Sequence, residues 1–499
     1  MKDVFDPDNR MNPGKVVRPH RLDENLTLRG WFPREPRTFF GYPHDGGKFS
    51  AGAASRCVGV GKCRGDVTGA GEVGGVMCPS YRVTREEEHS TRGRARLLME
   101  MVRGDVVTGG WHSTAVRDAL DLCLACKGCR KECPVGVDMA TYKAEFLAHH
   151  YAGRVRPAAH YSMGWLPVIA RLVTAVPGLA GIVNLAGRTP GISFLTKRAG
   201  GIDPRRDLPR FAPHRFAAWY ARRRRARSGR RVILWPDTFS NNFHPEVAKA
   251  AVSVLERAGF AVDVPTRPMC CGLTWISTGQ LGVAQRVLSR TIKALLPDLR
   301  AGVPIVVLEP SCAAVFRADA AELLGSDDAR LLAKQTRTLA ELLLEAGWRP
   351  GGLLEGLSRE GEGGARSGRA IAQVHCHQHA IMGFDADTEI LRRAGVDVDV
   401  LDTGCCGLAG NFGFERGHFE VSAACADRGL WPAARAAEPE TAILADGFSC
   451  RTQLAAGRTG REGLHLAQLL DQLTAPDREP KAALQPSLHL GHHDRHVVP

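Results

Sequence analysis

The sequence predicts a multidomain protein of mixed α+β and α/β class, in which a helical, cysteine-dense domain precedes two repeated α/β domains. Cysteines are concentrated between residues 51 and 155, in a segment with two predicted helices. After residue 228, strand-like apolar runs alternate with amphipathic helices, which is typical of parallel βαβ units. This second region also repeats itself, since RAGFAVDVPTRPMCCG at 257–272 matches RAGVDVDVLDTGCCG at 393–407 with one gap.

Composition limits the class of function. The chain has 499 residues, a net charge of +13 and 15 cysteines. No zinc-finger spacing or aromatic RNA-binding motif accompanies the basic run ARRRRARSGRR at 221–231, so no nucleic-acid partner is expected. The N-terminus has no apolar signal segment, which predicts a cytoplasmic location. Thiols stay reduced there, and clustered cysteines are then metal ligands rather than disulfides.

Two helices are predicted in the cysteine-dense domain. The capping box Thr84-x-x-Glu87 predicts a helix that continues through STRGRARLLMEMV. A second helix is predicted from Ser113 to Leu122, immediately before the densest group of cysteines. Three arginines of the first helix are interpreted as surface charges that could also bias a redox potential: Arg92, Arg94 and Arg96.

The region between the cysteine-dense domain and the repeats is the most apolar of the chain. Its stretch MGWLPVIARLVTAVPGLAGIVNLAG at 163–187 contains Arg171 and two prolines. A membrane-spanning helix needs about 20 predominantly apolar residues, and these three residues argue against one. The stretch predicts packed helices, with an amphipathic surface resting on a membrane as the alternative.

The repeats have matching strands. The runs RVILWPD and AIAQVH open the two copies, and VPIVVLEPSC and TAILADGFSC close them. An amphipathic helix, PEVAKAAVSVLERAG, follows the first strand, and EGLSREGEGGARSGR separates the copies. The tail ending HLGHHDRHVVP is predicted to be disordered.

The run CLACKGCRKECP at 123–134 has the spacing C-x2-C-x2-C-x3-C-P, which is that of bacterial ferredoxins. In this arrangement three thiolates bind one iron–sulfur cluster and the fourth binds the other. Zinc sites rarely use cysteines packed so closely. We therefore assign Cys123, Cys126 and Cys129 to one 4Fe–4S cluster, completed by Cys78 of GGVMCPS, which also precedes a proline.

The second cluster has one ligand fewer. In RCVGVGKCR, Cys57 and Cys63 stand at the outer places of a C-x2-C-x2-C run, and Val60 stands at the middle place. With the remote Cys133, this site has three thiolates. Valine cannot ligate iron, and a cubane that lacks one protein ligand readily loses that iron or keeps it with a water or a small thiol in place. The sequence therefore predicts a 3Fe–4S cluster at Cys57, Cys63 and Cys133.

The CCG pairs mark further candidate sites. In the second copy four cysteines follow predicted strands, so they are expected to meet at the carboxyl edge of a parallel sheet and could bind an additional cluster: Cys376, Cys405, Cys406 and Cys450. The first copy has Cys270, Cys271 and Cys312, but Thr238 stands where Cys376 would be. It could hold a labile cluster, a substrate-contacting surface or nothing. Cys425 is expected in a core, and His375, His377 and His379 are expected to be structural, with tuning of a neighbouring site as the alternative.

This order of motifs resembles the iron–sulfur half of FAD-linked D-2-hydroxyacid dehydrogenases. Similar proteins include the iron–sulfur subunits of glycolate oxidase and of anaerobic glycerol-3-phosphate dehydrogenase, and the cluster subunit of heterodisulfide reductase. The segment FDPDNRMNPGKV at 5–16 looks like the end of the flavin domain. The FAD half is therefore expected in a missing or partner domain. The family's CCG motif usually ends in C-x-x-C, whereas Glu309 and Gly447 stand at the first of those places here.

The resemblance implies an oxidoreductase that acts on CH–OH donors with an acceptor other than NAD. A D-lactate, glycolate or D-2-hydroxyglutarate type of substrate would be oxidised at FAD, and the electrons would pass through this chain to a quinone or another carrier. Peripheral contact with the inner face of the cell membrane is the implied location. The alternative is a heterodisulfide-reductase-like subunit that is catalytic at its CCG clusters.

The predicted domains follow from these motifs. In chain order they are the end of an FAD-linked oxidase domain at 1–50, a ferredoxin-like two-cluster domain at 51–155, a helical linker at 156–228, the first CCG cysteine-rich repeat at 229–346, a linker at 347–369, the second CCG repeat at 370–470 and a tail at 471–499.

Overall fold

The structure is a computed structural model that describes residues 1–24, 35–65, 75–223, 228–267, 269–350 and 368–474. Three predicted features fall wholly or partly outside the described residues: the tail, most of the linker between the two copies, and part of the basic run at 221–231.

The cysteine-dense domain is helical, as predicted. The second predicted helix is α4, and it begins after Ser113, whose Oγ accepts a hydrogen bond from the Val116 N–H at 3.3 Å. The helices up to this domain's end are α1 Lys2–Phe5, α2 Pro79–Thr84, α3 Thr91–Arg103, α4 Thr114–Asp121, α5 Gly128–Glu132 and α6 Met139–His150.

The predicted capping box at Thr84 is wrong. Thr84 ends α2, and its hydroxyl donates to the Ser80 carbonyl at 3.0 Å. The chain then turns at Arg85, which has a φ of 62°. The N-cap of α3 is Ser90, whose Oγ accepts from the Gly93 N–H at 2.9 Å. A threonine that bonds back to the preceding turn has the same sequence signature as an N-cap, so the pattern cannot separate the two.

Arg94 is also not a surface charge. Its side chain lies buried on α3, where Nε donates to the Ala119 carbonyl at 2.7 Å and Nη2 to Ser80 Oγ at 3.0 Å. Arg92 and Arg96 instead form ion pairs with Glu87 and Glu100. Arg94 thus joins α3 to α2 and α4 from inside the domain.

The segment between the cysteine-dense domain and the first sheet unit, which is predicted to be helical, does form helices. They are α7 Ala158–Ser162, α8 Leu166–Ala175, α9 Leu179–Ala186, α10 Pro190–Ala199 and α11 Phe216–Arg222. In the described part of the chain, none of the helices combines the length and the apolar composition that a membrane span requires.

His160 on α7 makes stability depend on pH. Its ring is buried, its Nδ1 has no hydrogen-bond partner in the described part of the chain, and burial lowers its pKa to about 3. Since an unfolded histidine has a pKa of about 6.5, the unfolded chain takes up the proton first, and stability is lost as the pH falls below that value.

We expect a change from pH 7 to pH 5.5 to lower the free energy of unfolding by about 1 kcal/mol through His160. The His160→Phe variant should lose this contribution, and the neighbouring Tyr161→Phe variant should keep it. Urea denaturation at the two pH values measures the difference, and an unchanged pH dependence in His160→Phe would contradict the assignment.

The first α/β unit contains a parallel four-stranded sheet in the order β2-β1-β3-β4. The predicted run RVILWPD forms its central strand, and Ile233 pairs with Ile305 of the neighbouring strand. The strands are β1 Arg230–Trp235, β2 Phe260–Asp263, β3 Ile305–Val307 and β4 Thr336–Arg337. The helices are α12 Thr238–Asn242, α13 Pro245–Arg257, α14 Leu273–Ser277, α15 Leu281–Arg300, α16 Pro310–Ala314, α17 Ala320–Leu324, α18 Asp327–Gln335 and α19 Leu339–Glu345.

The second α/β unit has a parallel sheet in the equivalent order, β6-β5-β7-β8. Its strands are β5 Gly368–Ala372, β6 Val396–Val400, β7 Ala442–Leu444 and β8 Gly463–Leu464. Its helices are α20 Cys376–Ile381, α21 Asp385–Arg393, α22 Phe419–Asp427, α23 Leu430–Ala436, α24 Phe448–Ala456 and α25 Leu466–Thr474. The mixed helical and parallel-sheet class is confirmed, whereas the interpretation of both units as copies of one cysteine-rich domain stays a prediction.

Shared cores hold the three regions together. Helix α13 of the first unit packs against α25 of the second, and residues of both sheets, such as Leu234 and Ala372, lie in one apolar cluster. A second cluster joins Phe146 of the helical domain to Trp235 and Phe316 of the first unit. Residues that follow strands of both sheets also contact the cysteine-dense domain, since Cys312 lies in a cluster with Cys129 and Cys376 in one with Cys126.

Candidate metal centres

The ferredoxin-like run begins as a tight loop after α4 and continues through α5. Cys123, Cys126 and Cys129 are all buried. Ala125 and Lys127 have φ values of 53° and 59°, so the backbone between the cysteines repeatedly takes the left-handed conformation. Such alternation turns successive N–H groups toward a common centre, which suits a bound anionic group. The Met139 N–H donates to Cys129 Sγ at 3.3 Å, and burial raises the pKa of that thiol to about 12.

The Cys57 loop lies beside the end of this run. The Cys57 thiol interacts with both Cys63 and Cys133, which is the grouping that the ferredoxin pattern predicts for the second cluster. Val60 lies at the tip of this loop, 63% exposed and between two glycines with φ values of 81° and 83°. Val60, which stands at the middle place of the C-x2-C-x2-C pattern, therefore faces solvent and supplies no sulfur.

Cys78 interacts with members of both thiol groups. Its Sγ accepts from the Thr91 N–H at 3.0 Å. A hydrogen bond with Cys63 and burial raise the pKa of the Cys78 thiol, and the nearby Cys129 adds to this effect. The hydrogen bond with Cys78 lowers the pKa of Cys63 to about 6. Cys78 has a φ of 53° at the start of α2, with Pro79 as the first helical residue, so the chain reverses there and presents the sulfur inward.

The four cysteines of the second unit converge. They follow β5, β6 and β7, and each is at most 5% exposed. Cys405 hydrogen-bonds to Cys376 and Cys406, and Cys406 hydrogen-bonds to Cys450. The structure thus brings all four thiols to one sheet edge, because side chains that follow parallel strands meet there. The set of donors fits a soft thiolate-bound metal group.

The first unit brings together three thiols. Cys271 Sγ lies 3.0 Å from Cys312 Sγ, and Cys270 hydrogen-bonds to Cys271 and to Thr238. Thr238 therefore takes the place of a fourth thiol, as the sequence comparison of the copies predicts. The first unit therefore offers three thiols at its sheet edge, one fewer than the second unit.

Glu309 has a role that the sequence did not indicate. It stands where the family's motif has a cysteine, but its buried carboxylate accepts from the Phe448 N–H at 2.9 Å and from Ser311 Oγ at 2.8 Å. Phe448 begins α24, the helix that carries Cys450. Glu309 thus connects the two units by capping a helix across the interface.

The histidines that flank Cys376 connect the second unit to the ferredoxin-like run. His377 Nε2 donates to the Ala125 carbonyl at 3.0 Å, between Cys123 and Cys126. His379 Nε2 lies 2.8 Å from a Glu132 carboxylate oxygen, and Glu132 also accepts from the Val76 N–H at 2.7 Å. Burial lowers the pKa of both His375 and His377 to about 4, so neutral rings face the thiols. The histidines therefore support two thiol groups at once.

A buried charge network beneath the run was not predicted. Lys127 stands between Cys126 and the glycine that opens α5, and its side chain is 4% exposed. Its Nζ lies 2.8 Å from Asp319 Oδ1 and 3.1 Å from Asp138 Oδ2. Although burial alone would raise it, Lys127 and Arg130 lower the pKa of Asp138 to about 2. Since Asp319 belongs to the first unit, the network fixes that unit against the loop.

A group of three side chains with metal-ligand chemistry lies beside the cavity that Cys123 also lines. Ligand atoms of Asp121, Glu415 and His418 lie within 4.8 Å of one another. His418 Nε2 lies 2.8 Å from Asp121 Oδ2, and its Nδ1 donates to the Phe412 carbonyl at 3.1 Å. A side-chain contact between the helical domain and the second unit accounts for this geometry.

A central cavity of about 310 Å³ lies where the three regions meet. Apolar side chains of α8 and α9 and the aromatic residues Phe239, Phe243 and Phe448 form much of its wall. Thiols of three groups also line it: Cys123, Cys270, Cys271, Cys312 and Cys376. The cavity therefore offers an apolar space in direct contact with the candidate metal centres.

Comparison with known proteins agrees with this geometry. The family model of the 4Fe-4S dicluster domain matches residues 53–137, and that of the cysteine-rich domain matches residues 237–317. The D-2-hydroxyglutarate dehydrogenase of Pseudomonas putida is 26% identical over 91% of this chain and 46% of its own length. The predicted resemblance is confirmed. The chain spans about half the length of the dehydrogenases that it matches.

Separate iron–sulfur subunits also match. The glycolate oxidase iron-sulfur subunit of Escherichia coli is 25% identical over 79% of this chain and 90% of its own length. One subunit of the anaerobic glycerol-3-phosphate dehydrogenase of Escherichia coli is 28% identical over 49% of this chain and 61% of its own length. No solved structure matches the chain. The relatives are thus oxidoreductases, and one of them is an iron–sulfur subunit.

Proposed function

We propose that the chain is the iron–sulfur electron-transfer part of a flavin-dependent 2-hydroxyacid dehydrogenase of the D-lactate, glycolate or D-2-hydroxyglutarate type. FAD and the substrate site would belong to a partner domain or subunit, and a quinone or another carrier would receive the electrons. The observation that carries the proposal is the series of thiol groups that leads from the exposed Val60 loop to the central cavity.

In this series, neighbouring thiol groups interact electrostatically or pack together. Cys57, Cys63 and Cys133 would hold a 3Fe–4S cluster, and Cys78 links them to Cys129. Cys123, Cys126 and Cys129 with Cys78 would hold a 4Fe–4S cluster. Cys126 packs with Cys376 and Cys405 in one buried group of side chains. An additional iron–sulfur cluster could bind at the cysteines of the second unit. An iron–sulfur cluster accepts and releases one electron at a time, which suits the splitting of an electron pair from a flavin.

The chain's other residues would position and tune these groups. Lys127 places a buried positive charge beside Cys126 and Cys129. His377 and Glu132 fix the backbone around the thiols by hydrogen bonds. The apolar wall of the cavity would exclude water from the thiols that line it. We also propose that both sheet units are CCG repeats, with the domain boundaries given above.

Reduction by a flavin tests this function. The chain, purified without oxygen, should lose visible cluster absorbance when photochemically reduced FAD is added, and recover it on addition of a short-chain ubiquinone. A Cys126→Ser variant should be reduced less completely. Absence of bleaching by reduced FAD in the fully loaded wild-type chain would contradict the proposal.

The alternative is a heterodisulfide-reductase-like catalyst that acts at the CCG cysteines. The cavity beside Cys270, Cys271, Cys312 and Cys376 favours it, because a small substrate could reach these thiols. This function predicts that a low-molecular-weight disulfide, rather than the quinone, reoxidises the reduced chain. It also predicts that Cys450→Ser abolishes that reoxidation while bleaching by reduced FAD persists.

A further inference from the structure

A cleft of about 710 Å³ is lined by α8, by α14 with the loop that precedes it, and by the long helix α15. Its floor contains apolar side chains such as Val168, Val283 and Val287. Five cationic side chains also line it, and none of the described residues in its wall is acidic. We call this feature the basic cleft, and its cations are Arg171, Arg267, Arg286, Arg290 and Lys293.

The positive charge of the basic cleft is not compensated within the described part of the chain. None of the five cations forms an ion pair with a described residue. Arg286, Arg290 and Lys293 stand four and three residues apart on α15, so they share one face, where like charges destabilise a helix. Burial lowers the pKa of Arg171 on α8. An anion with several negative charges would offset both costs.

Two tryptophans give the basic cleft an aromatic wall. The ring centroids of Trp165 and Trp275 lie 5.7 Å apart, with the rings nearly perpendicular at 88°. Trp165 Nε1 donates to Gln280 Oε1 at 3.0 Å, which fixes this partly exposed ring. Trp275 is 3% exposed, and its Nε1 has no hydrogen-bond partner among the residues that the structure describes. Buried polar groups are generally paired, so this N–H is available to an acceptor of a bound ligand.

The size and chemistry of the basic cleft restrict the ligand class. Its volume lies in the range of about 300–1,000 Å³ that is typical of small-molecule sites. Guanidinium groups bind phosphate through paired hydrogen bonds, and the rings of nucleic-acid bases stack on aromatic side chains. Trp275 and Cys270 are both less than a tenth exposed, which favours a small ligand over a protein segment.

We propose that the basic cleft binds a nucleotide, with its phosphates among the cations and its aromatic ring beside Trp165 and Trp275. Cys270 lines both this cleft and the central cavity, so the bound nucleotide would lie next to the thiols of the first unit. The inference goes beyond the proposed electron transfer and does not rest on it, because nucleotide binding is measured without a redox step.

Isothermal titration calorimetry of the full chain, purified without oxygen, tests it with three probes. At about 0.15 M salt, which screens non-specific attraction, ADP should bind at least about tenfold more tightly than either pyrophosphate or adenosine. The double variant Arg286→Gln, Arg290→Gln should bind ADP at least about tenfold more weakly, because it removes charged donors to phosphate. Trp165→Leu should weaken ADP binding about tenfold and leave pyrophosphate binding unchanged.

A matched control separates the basic cleft from basic surface in general. The double variant Arg188→Gln, Arg198→Gln removes two exposed arginines that do not line the cleft, and it should bind ADP like the wild type. Unchanged circular dichroism shows that each variant is folded. Failure of the wild type to bind ADP would overturn the proposal, as would equal ADP binding by both arginine variants.

Two further outcomes would replace the nucleotide by another occupant. Pyrophosphate that binds as tightly as ADP would contradict a place for the aromatic ring. A glutamate-rich peptide that binds the wild type more tightly than ADP, and binds the Arg286→Gln, Arg290→Gln variant weakly, would identify an acidic protein segment as the occupant instead.

Discussion

We expect the Cys126→Ser variant to lose the electron paramagnetic resonance signal of the reduced 4Fe–4S cluster and about one cluster's complement of iron. Cys126 stands in the middle of the C-x2-C-x2-C run, buried beside Cys376 and close to Cys123 and Cys129. A hydroxyl is a poor substitute for a thiolate on iron, and the left-handed residues on both sides leave the loop little freedom to bring another donor in.

The matched control is Cys425→Ser. Cys425 is equally buried, but its thiol donates to the Pro79 carbonyl at 3.6 Å and lies outside the four proposed thiol groups. We expect this variant to keep both cluster signals. Loss of the reduced-state signal in Cys425→Ser, or its retention in Cys126→Ser, would contradict the assignment of ligands.

The Lys127→Met variant should be destabilised by about 3–5 kcal/mol, the range for removing one partner from a buried ion pair. The change leaves Asp319 and Asp138 buried with Arg130 as the remaining cation of the network. Urea denaturation followed by cluster absorbance without oxygen measures the loss. The reduction potential of the neighbouring cluster should also fall, since a positive charge beside Cys129 favours the more negative reduced state.

Two further variants make this expectation specific. Lys131→Met changes the neighbouring exposed lysine, which donates to the His379 carbonyl at 2.9 Å, and should alter stability by less than about 0.5 kcal/mol. The double variant Lys127→Met, Asp319→Leu replaces the pair by apolar groups and should recover part of the lost stability. Equal effects of the Lys127 and Lys131 changes would contradict a role for the buried network.

Local patterns predicted most of the fold that positions the site. RVILWPD and TAILADGFSC are short apolar runs that end at turn residues, and they form β1 and β7. Because side chains that follow parallel strands meet at one edge, the grouping of Cys376, Cys405 and Cys450 could be anticipated. The spacing of the ferredoxin-like run likewise predicted a group of Cys57 and Cys133, 76 residues apart in sequence, and the charge of Cys133 contributes to the raised pKa of Cys57.

Contacts between distant segments could not be predicted. Lys127 pairs with Asp319, and Glu309 caps the helix that begins at Phe448, so neither role is visible in the neighbouring sequence. Thr84 and Ser90 both fit the start of a helix, and tertiary packing decides between them. Hydrophobicity alone predicted packed helices at 163–187, although the structure leaves Leu172, Ile182 and Leu185 largely exposed.

Metal analysis of the whole chain tests the central claim most directly. Iron, acid-labile sulfide and zinc should be measured on protein purified without oxygen, together with electron paramagnetic resonance of both oxidation states. The proposed clusters predict a three-iron signal from the Cys57, Cys63 and Cys133 side in the oxidised protein, and a cubane signal in the reduced protein. Zinc in place of iron, or a Cys57 side that stays empty after reconstitution with iron and sulfide, would contradict the proposed electron path.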